Sequence, residues 1–317
     1  MLCRTASDLF WIGRAVERAE AMARLLDLAR RLSALPAERG AHPAGRGVWA
    51  LPLLATGSVY VEGAGSAAMV QRCLLDRDNP SSVLACVQLA RDAARNQRSV
   101  VPGEVVATLQ GALDHLRALR PAHLADGGVG RVIAEVMAFS DAFRGVTFAT
   151  MLRNEAWHFL RLGTFVERAD GSVRLWATQA EPDSEHLRAG PDSPLAAFHR
   201  VALLEAASAL MPLRRLHGEP NHAGVSDMLL RRPDFPRSAT YCLSEAQKAL
   251  AALQVGAAEP VARHLGRALA GVSYLEPRAD ADGLFAFGAA RQAEIAAVAG
   301  AVEQRFFIAR MPLRRAA

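Results

Sequence analysis

The sequence predicts an all-α protein, a multi-helix bundle built from two tandem, pseudo-symmetric helical repeats. Three observations support this class. Apolar residues recur at spacings of three and four over most of the 317 residues, which is the period of a helix with one buried stripe. No segment shows the period-2 alternation of a half-buried strand. One charged phrase also occurs in each half of the chain, as expected when a whole unit has been duplicated.

The charged phrase occupies residues 13–20 and 163–170, and the offset from Glu17 to Glu167 is 150. Both copies contain Val-Glu-Arg-Ala followed by an acidic residue. A second phrase, 78–82, recurs at 234–238 with an offset of 156. We therefore predict one domain over 1–317, with repeat one in residues 1–130 and repeat two in residues 131–317.

In the first half, the apolar stripe that includes Leu9, Ile12 and Val16 predicts a long helix over 7–35. Proline and glycine in 34–46 indicate a surface loop. Asn79 followed by Pro80 predicts a helix start with Asn79 as the N-cap. This helix is expected to reach residue 99, and it is followed by a helix over 103–119 and a turn over 121–130.

In the second half, a long helical pattern covers 131–180, with an interruption expected near 145–150. The prolines and glycine of 180–194 indicate a linker. Further helices are predicted to begin at about residues 195, 224, 236 and 260, and a last helix covers 284–309.

Charge and cysteine usage exclude several classes. The net charge is +5 and the pI is about 9.5, but the arginines alternate with acids along the helices and form no basic run. Nucleic-acid binding is therefore not expected. The four cysteines form no Cys-x-x-Cys pair. No signal peptide is visible, and the apolar stretch 48–61 is too short to span a membrane. We predict a cytoplasmic protein with no membrane partner.

The charged face of each repeated helix is the candidate site. At 100° per residue, Glu17, Glu20 and Arg24 share one face of the first helix, and Arg14 and Arg18 flank them. Such a face is ordinarily solvated, with ion pairs of about 0.2–0.5 kcal/mol each. Its recurrence suggests instead that the two copies meet as a partly buried Glu/Arg network. That network would either specify packing or line a cleft for a carboxylate or phosphate, and the sequence leaves both open.

Other motifs give little chemistry. Glu155 and His158 form one Glu-x-x-His pair, whereas a di-iron bundle needs two such pairs and two further carboxylates. Residues 217–222 contain ligand-type side chains, but Gly218 and Pro220 forbid a single helical face, so a polar loop is expected. The P-loop, His-Glu-x-x-His and Gly-x-Ser-x-Gly motifs are absent from the sequence. We predict no metal and no cofactor site in this chain.

Several short motifs occur together over nearly the whole chain, at 1–6, 11–14, 16–20, 79–82, 90–95, 151–157, 159–163, 167–170, 235–238 and 242–243. This combination resembles the bacterial alpha-E domain family, a domain of unknown function. The sequence departs from the family pattern at Asn154 and Ala156, where Asp and Gly are expected, and at Cys3, where Ser is common.

The resemblance implies an all-helical cytoplasmic protein. It also implies partners, because members of this family are typically encoded beside, or fused to, a circularly permuted ATP-grasp protein. A transglutaminase-like cysteine peptidase often accompanies them. This context implies a role in making or processing an amide-linked peptide or peptide tag, with ATP and Mg²⁺ bound by the partner ligase.

The favoured hypothesis is therefore an accessory or second catalytic subunit of an ATP-grasp amide-ligase system, whose Glu/Arg cleft holds a carboxylate or an acyl phosphate. Glu17, Glu155 and Glu167 are the candidate catalytic residues, which would orient or deprotonate an amine. The candidate substrate-binding residues are Arg14, Arg18, Glu20, Arg24, Asn79, Ser82, Arg91, Arg95, Arg153, Trp157, Arg168, Asp170 and Arg237.

Two alternatives remain. The chain could be a non-catalytic helical scaffold that docks the ATP-grasp and transglutaminase-like proteins. It could also be a stand-alone metal-dependent enzyme that uses Glu155 and His158.

Overall fold

A computed structural model describes residues 1–34, 48–125, 127–180, 190, 193–276 and 280–308. All regular structure within these residues is helical, as the sequence predicts. The first six helices are α1 (Cys3–Leu32), α2 (Leu51–Ala55), α3 (Ser66–Leu74), α4 (Val83–Asn96), α5 (Gly103–Ala118) and α6 (Gly128–Thr150).

The remaining helices begin after a short turn at 151–154. They are α7 (Glu155–Ala177), α8 (Pro194–Ala206), α9 (Leu210–His217), α10 (His222–Ser226), α11 (Ala239–Ala252), α12 (Pro260–Tyr274) and α13 (Ala281–Phe306). One π-helical turn, Asp227–Arg231, follows α10.

Helices α1 and α7 cross at the centre, and two glycines allow their backbones to touch. A Cβ on Gly13 would lie 2.3 Å from the carbonyl oxygen of Leu160. A Cβ on Gly163 would lie 2.0 Å from the carbonyl oxygen of Phe10. Because only glycine lacks a Cβ, no other residue permits this approach without moving a helix. The glycine that opens each repeated phrase is thus explained by packing.

Two hydrophobic cores extend from this central pair. The first joins buried side chains of α1, such as Leu9 and Ile12, to those of α3–α6. The second joins buried side chains of α7, such as Val166 and Val173, to those of α8–α13. Helix α6 packs on α1 and α5, and α13 packs on α7 and α12. The charged phrases therefore lie between the two cores.

Two helix starts lie later than the sequence suggests. Asn79 and Pro236 are not the first residues of helices, because α4 begins at Val83 and α11 at Ala239. Asn79 instead forms a turn of its own, in which its Oδ1 accepts a hydrogen bond from the Ser81 backbone N–H at 3.1 Å.

The N-caps are Ser82 and Ser238, which have the same partners in both halves. The Oγ of Ser82 accepts from the backbone N–H of Ala85 at 3.1 Å and donates to the carbonyl of Asp76. The Oγ of Ser238 accepts from the N–H of Tyr241 at 3.0 Å and donates to the carbonyl of Arg232. Both serines are fully buried.

We expect Ser238→Ala to lower the free energy of unfolding by about 2 kcal/mol, because it removes a cap and leaves a buried carbonyl without its donor. Urea denaturation followed by circular dichroism would measure the change. The control is Ser66→Ala, at an exposed serine in the first turn of α3, where the change should stay within about 0.5 kcal/mol. Equal effects of the two substitutions would contradict the capping role.

Other boundaries differ modestly. The interruption expected near 145–150 lies at 151–154, where the side chain of Asn154 caps α7 by accepting from the N–H of Ala156 at 3.1 Å. Helices α3 and α9 have nine and eight residues and escaped the periodicity analysis, since they are short. Most of the predicted loop 34–46 and linker 180–194 lies outside the described residues.

Candidate functional site

The repeated Glu-Arg pairs meet across the contact between α1 and α7. Arg18 of α1 donates from Nε and Nη2 to the Glu167 carboxylate of α7, at 2.5 and 3.1 Å. Arg168 of α7 donates in return from Nε to Glu17 of α1 at 2.9 Å, and also from Nη2. Both glutamates are 4% exposed. The two helices therefore exchange bidentate, charge-assisted hydrogen bonds.

A second arginine completes each pair. The Nε of Arg14 lies 2.6 Å from Glu167, and the Arg14 guanidinium stacks over the Trp11 ring at 4.7 Å. On the other side, Arg144 of α6 donates to Glu17 at 3.4 Å. Among the described residues, each glutamate thus accepts three guanidinium hydrogen bonds, which saturate most of its lone pairs.

Glu20, one turn further along α1, is the most enclosed carboxylate of the site, with 1% exposed. It accepts two hydrogen bonds from Arg24, at 2.7 and 3.0 Å, and one from the Ser140 hydroxyl at 2.6 Å. Arg144 and Arg237 also donate to it. We call Glu17, Glu20 and Glu167, with Arg14, Arg18, Arg24, Arg144, Arg168 and Arg237, the Glu/Arg network.

Asp170 follows Glu20 at the repeat offset of 150, but its surroundings differ. Its Oδ2 accepts from the Nε of Arg174 at 2.6 Å, and its Oδ1 accepts no hydrogen bond from the described residues. Arg174 also donates from Nη1 to the carbonyl of Ala55 at 2.6 Å. The corresponding arginine of α1, Arg24, likewise donates from Nη1 to the carbonyl of Ala206.

The arginines set the protonation of these acids. Burial alone would raise the pKa of Glu20, but Arg237, Arg24 and Arg144 outweigh it and hold that pKa well below its usual range. The pKa of Glu167 is lowered in the same way, with burial opposed by Arg14 and Arg18. Burial raises the pKa of Asp170, and Arg174 offsets only part of that shift. Glu20 and Glu167 are therefore ionised at neutral pH, whereas Asp170 loses its proton at a higher pH than is usual for an aspartate.

Two pockets adjoin the network, and both are lined by Ala21 and Gly171. The first, which we call the closed pocket, has a volume of about 20 Å³, room for little more than one water molecule. The second, the open pocket, has a volume of about 220 Å³. The polar side chains that line the closed pocket are Glu17, Arg24, Arg168, Ser172 and Arg237. Those that line the open pocket are Arg14, Arg18, Thr56, Ser81, Glu167, Asp170 and Arg174.

Some of the residues predicted from the sequence lie elsewhere. Asn79 and Ser82 are buried in the turn and cap that precede α4. Arg91 pairs with Asp92 at 3.0 Å on α4, and Arg95 is exposed. None of these four predicted residues lines the open or the closed pocket.

The motif at the start of α7 also lies apart from both pockets. The Arg153 guanidinium stacks over the Trp157 ring at 3.8 Å. The Glu155 side chain is 61% exposed. Among the described residues, no group of three or more His, Cys, Asp or Glu side chains is placed to hold a metal ion. The pair formed by Glu155 and His158 therefore has no third ligand of these types in the part of the chain that the structure describes.

Sequence reasoning missed Ser140 and Arg144, which α6 contributes to Glu20 and Glu17. Neither belongs to a repeated phrase, so no pattern marked them. The i,i+4 relation of Ser140 and Arg144, one polar turn on an otherwise apolar helix face, was the available signal. No described helix combines the length and the low polarity that crossing a membrane requires.

Residues 1–307 match a family described as a predicted alpha-helical domain with a conserved ER motif, named Alpha-E. Glu-Arg dipeptides occur in this chain at 17–18, 38–39 and 167–168. The chain is 29% identical, over 263 residues, to the uncharacterized proteins Rv2567 of Mycobacterium tuberculosis and Mb2597 of Mycobacterium bovis. The match covers 76% of this chain and 28% of each relative, so the chain spans under a third of their length. No solved structure matches it. The chain belongs to the Alpha-E family.

Proposed function

We propose that this chain is an accessory or second catalytic subunit of an ATP-grasp amide-ligase system that makes or processes a peptide or peptide tag. In this proposal the open pocket holds the substrate carboxylate or acyl phosphate, and the partner ligase binds ATP and Mg²⁺. A transglutaminase-like protein is the second expected partner. The observation that carries the proposal is the set of three arginines, Arg14, Arg18 and Arg174, around one pocket of substrate size.

Each of these three arginines has N–H groups that make no hydrogen bond to the described residues. Among the described residues, Arg14 makes its hydrogen bond through Nε alone, and Arg18 uses Nε and Nη2. Arg174 uses Nε and Nη1. A guanidinium carries five N–H donors in a planar fork that matches carboxylate and phosphate oxygens. The remaining N–H groups are available to an anion that enters the pocket.

Glu167 supports this site by holding two of its arginines. It accepts three guanidinium hydrogen bonds from Arg14 and Arg18, and charge-assisted bonds of this kind fix the geometry of the donors. Glu155, which is exposed and lines neither pocket, would act only if a partner brought substrate to it. Within the proposal, Glu167 orients Arg14 and Arg18 of the open pocket, and Glu17 holds Arg168 and Arg144 of the Glu/Arg network.

We further propose that the fold is a duplication with its boundary in the turn at 151–154. Supporting it are the reciprocal glycine contacts, the reciprocal Arg18–Glu167 and Arg168–Glu17 pairs, and the matching serine caps. Helix α6 packs on α5 and α1, which favours this boundary over 130/131. In such a duplication the glutamate and the arginine of each Glu-Arg pair bond to the pair of the other copy. The two pairs would therefore mark the contact between the copies.

The test is a ligation assay with the ATP-grasp protein that the family resemblance implies, measuring ATP consumption and product mass with and without this chain. We expect an amide product that requires the chain. Arg14→Gln should reduce its formation about tenfold or more, because a charged hydrogen bond contributes roughly 1.5–3 kcal/mol. The control, Arg98→Gln at an exposed arginine after α4, should leave it unchanged. A product that forms equally without the chain would refute the proposal.

The scaffold alternative has one observation in its favour. At the turn between α6 and α7, Phe148 and Leu152 are 67% and 77% exposed, and clustered exposed apolar side chains are typical of protein contacts. Copurification with the ligase that is lost in Phe148→Ser, with a product insensitive to Arg14→Gln, would favour the scaffold. Loss of product in Arg14→Gln with binding intact would favour the pocket.

A further inference from the structure

The open and closed pockets occupy corresponding positions on α1 and α7, and the differences between them indicate what the open pocket binds. Glu17, Ala21 and Arg24 of one pocket correspond, at an offset of 150, to Glu167, Gly171 and Arg174 of the other. The two pockets are therefore built on corresponding positions of α1 and α7. They differ in the other side chains that line them.

Arg237, at an offset of 156 from Ser81, lines the closed pocket and donates to Glu20. Arg144 of α6 also donates to Glu20. The open side has Ser81 in place of Arg237, and α13 contributes Ile295 and Ala296. Ser81, Ile295 and Ala296 are uncharged, and the pocket that they line has about 220 Å³ where the closed pocket has about 20 Å³.

The open pocket therefore lacks cations where the closed side has them. Glu20, whose side chain is 1% exposed, accepts from three arginines. Its counterpart Asp170 is 16% exposed and accepts from Arg174 alone, and its Oδ1 accepts no hydrogen bond from the described residues. On the closed side Arg237 and Arg144 are the additional cations, whereas on the open side the Oδ1 of Asp170 is available to a cationic group of a ligand.

The open pocket also has a cation that its counterpart lacks. Arg14 lines it, and the residue at the corresponding position of α7 is Thr164. With Arg18, Arg14 presents unused N–H donors to the space that Asp170 also lines. The pocket thus combines a site for an anion with a site for a cation.

The volume limits the size of the ligand. About 220 Å³ lies below the range of about 300–1,000 Å³ that is typical of pockets for drug-sized ligands. A nucleotide is too large for this space, whereas one amino acid matches it.

We infer that the open pocket binds a free α-amino acid, with the carboxylate on Arg14 and Arg18 and the ammonium on Asp170. The inference rests on the proposed function and deepens it, because an amino acid is an amine-bearing substrate for an amide ligase. In this inference the Asp170 carboxylate contacts the ligand directly and recognises its positive charge.

The test measures binding to the isolated full chain by calorimetry, using each of the twenty L-amino acids. For the tightest amino acid, the matching 2-hydroxy acid and the matching primary amine are then measured. We expect the hydroxy acid to bind at least tenfold more weakly, because it lacks the ammonium. Asp170→Asn should remove that difference between the two compounds, and Arg14→Gln should weaken both. Asp114→Asn, at an exposed aspartate of α5, is the matched control.

A second variant keeps the inference testable if Asp170→Asn or Arg14→Gln fails to fold. Ser81→Arg places on the open side the residue that Arg237 supplies on the closed side, so it should abolish amino-acid binding while the melting temperature is kept. Ser66→Arg on the surface of α3 is its control. Binding that survives Ser81→Arg would overturn the inference.

Further outcomes separate the two proposals. Equal binding of the amino acid and its hydroxy acid, with no effect of Asp170→Asn, would refute the amino-acid inference and leave the anion pocket standing. So would the absence of amino-acid binding while Arg14→Gln still lowers ligation. Ligation that is indifferent both to the chain and to Arg14→Gln would refute the proposed function itself.

Discussion

Alanine at Gly163 is expected to push α1 away from α7 and to lower the free energy of unfolding by about 3 kcal/mol. The added Cβ would lie 2.0 Å from the carbonyl oxygen of Phe10, an atom of the backbone that moves only if α1 moves. Separation of the helices would also lengthen the Arg18–Glu167 and Arg168–Glu17 pairs, which now hold at 2.5 and 2.9 Å. The cost therefore combines overpacking with weakened buried ion pairs.

Urea denaturation of Gly163→Ala against wild type measures this change. The matched control is Gly111→Ala in α5, where an added Cβ would meet nothing within 4 Å. There alanine should stabilise the helix by about 0.5–1 kcal/mol, because glycine loses more backbone entropy on folding. Gly13→Ala, at 2.3 Å from the carbonyl oxygen of Leu160, should resemble Gly163→Ala. A Gly163→Ala protein as stable as the Gly111→Ala control would show that the helices do not touch there.

The helical class could be predicted from the sequence because the apolar period of α1 and α7 is long and regular. The meeting of Glu17 and Glu167 in a partly buried network was suggested by the recurrence of the charged phrase, whereas the choice between a packing role and a ligand cleft was left open. Which arginine meets which glutamate could not be predicted. A helical wheel shows only which residues are neighbours on one helix, whereas Arg18 and Arg168 pair with glutamates of the other helix where α1 and α7 cross.

The pockets depend on single side chains, which the helical pattern of apolar residues does not identify. Arg237 lines the closed pocket, and Ser81 at the corresponding position of the second phrase lines the open pocket. Comparison of the two phrases could have marked this position. The i,i+4 relation of Ser140 and Arg144 was visible in the sequence, but their contact with Glu20 was not, because the register of α6 against α1 is set by packing. The helix start at Val83 was missed because two cap-forming residues, Asn79 and Ser82, stand three positions apart. The start at Ala239 was missed because Pro236 is of a type that is common in the first turn of a helix.

The second large effect is expected at Glu20, where Glu20→Gln should lower the free energy of unfolding at pH 7 by about 3–5 kcal/mol. Glutamine has nearly the same shape, but it removes the charge that the guanidinium groups of Arg24, Arg144 and Arg237 share. Arg24 and Arg237 then have no other carboxylate partner among the described residues. The control is Glu135→Gln, whose partner His115 is exposed with it. An exposed pair contributes about 0–1 kcal/mol, so similar losses in the two variants would contradict a buried network.

The pH dependence of stability tests the same carboxylate independently. The folded-state pKa of Glu20 lies well below its ordinary value of 4.5, so the unfolded state takes up a proton first as the pH falls. The stability that Glu20 contributes is complete above about pH 5 and is lost as the pH falls through the folded-state pKa. Asp170 has the opposite sign, since its raised pKa makes its ionised form a cost that acidification relieves. Wild type should therefore lose more stability than Glu20→Gln between pH 7 and pH 4 in urea denaturation, and equal losses would mean that Glu20 is not the anion that its three arginines require.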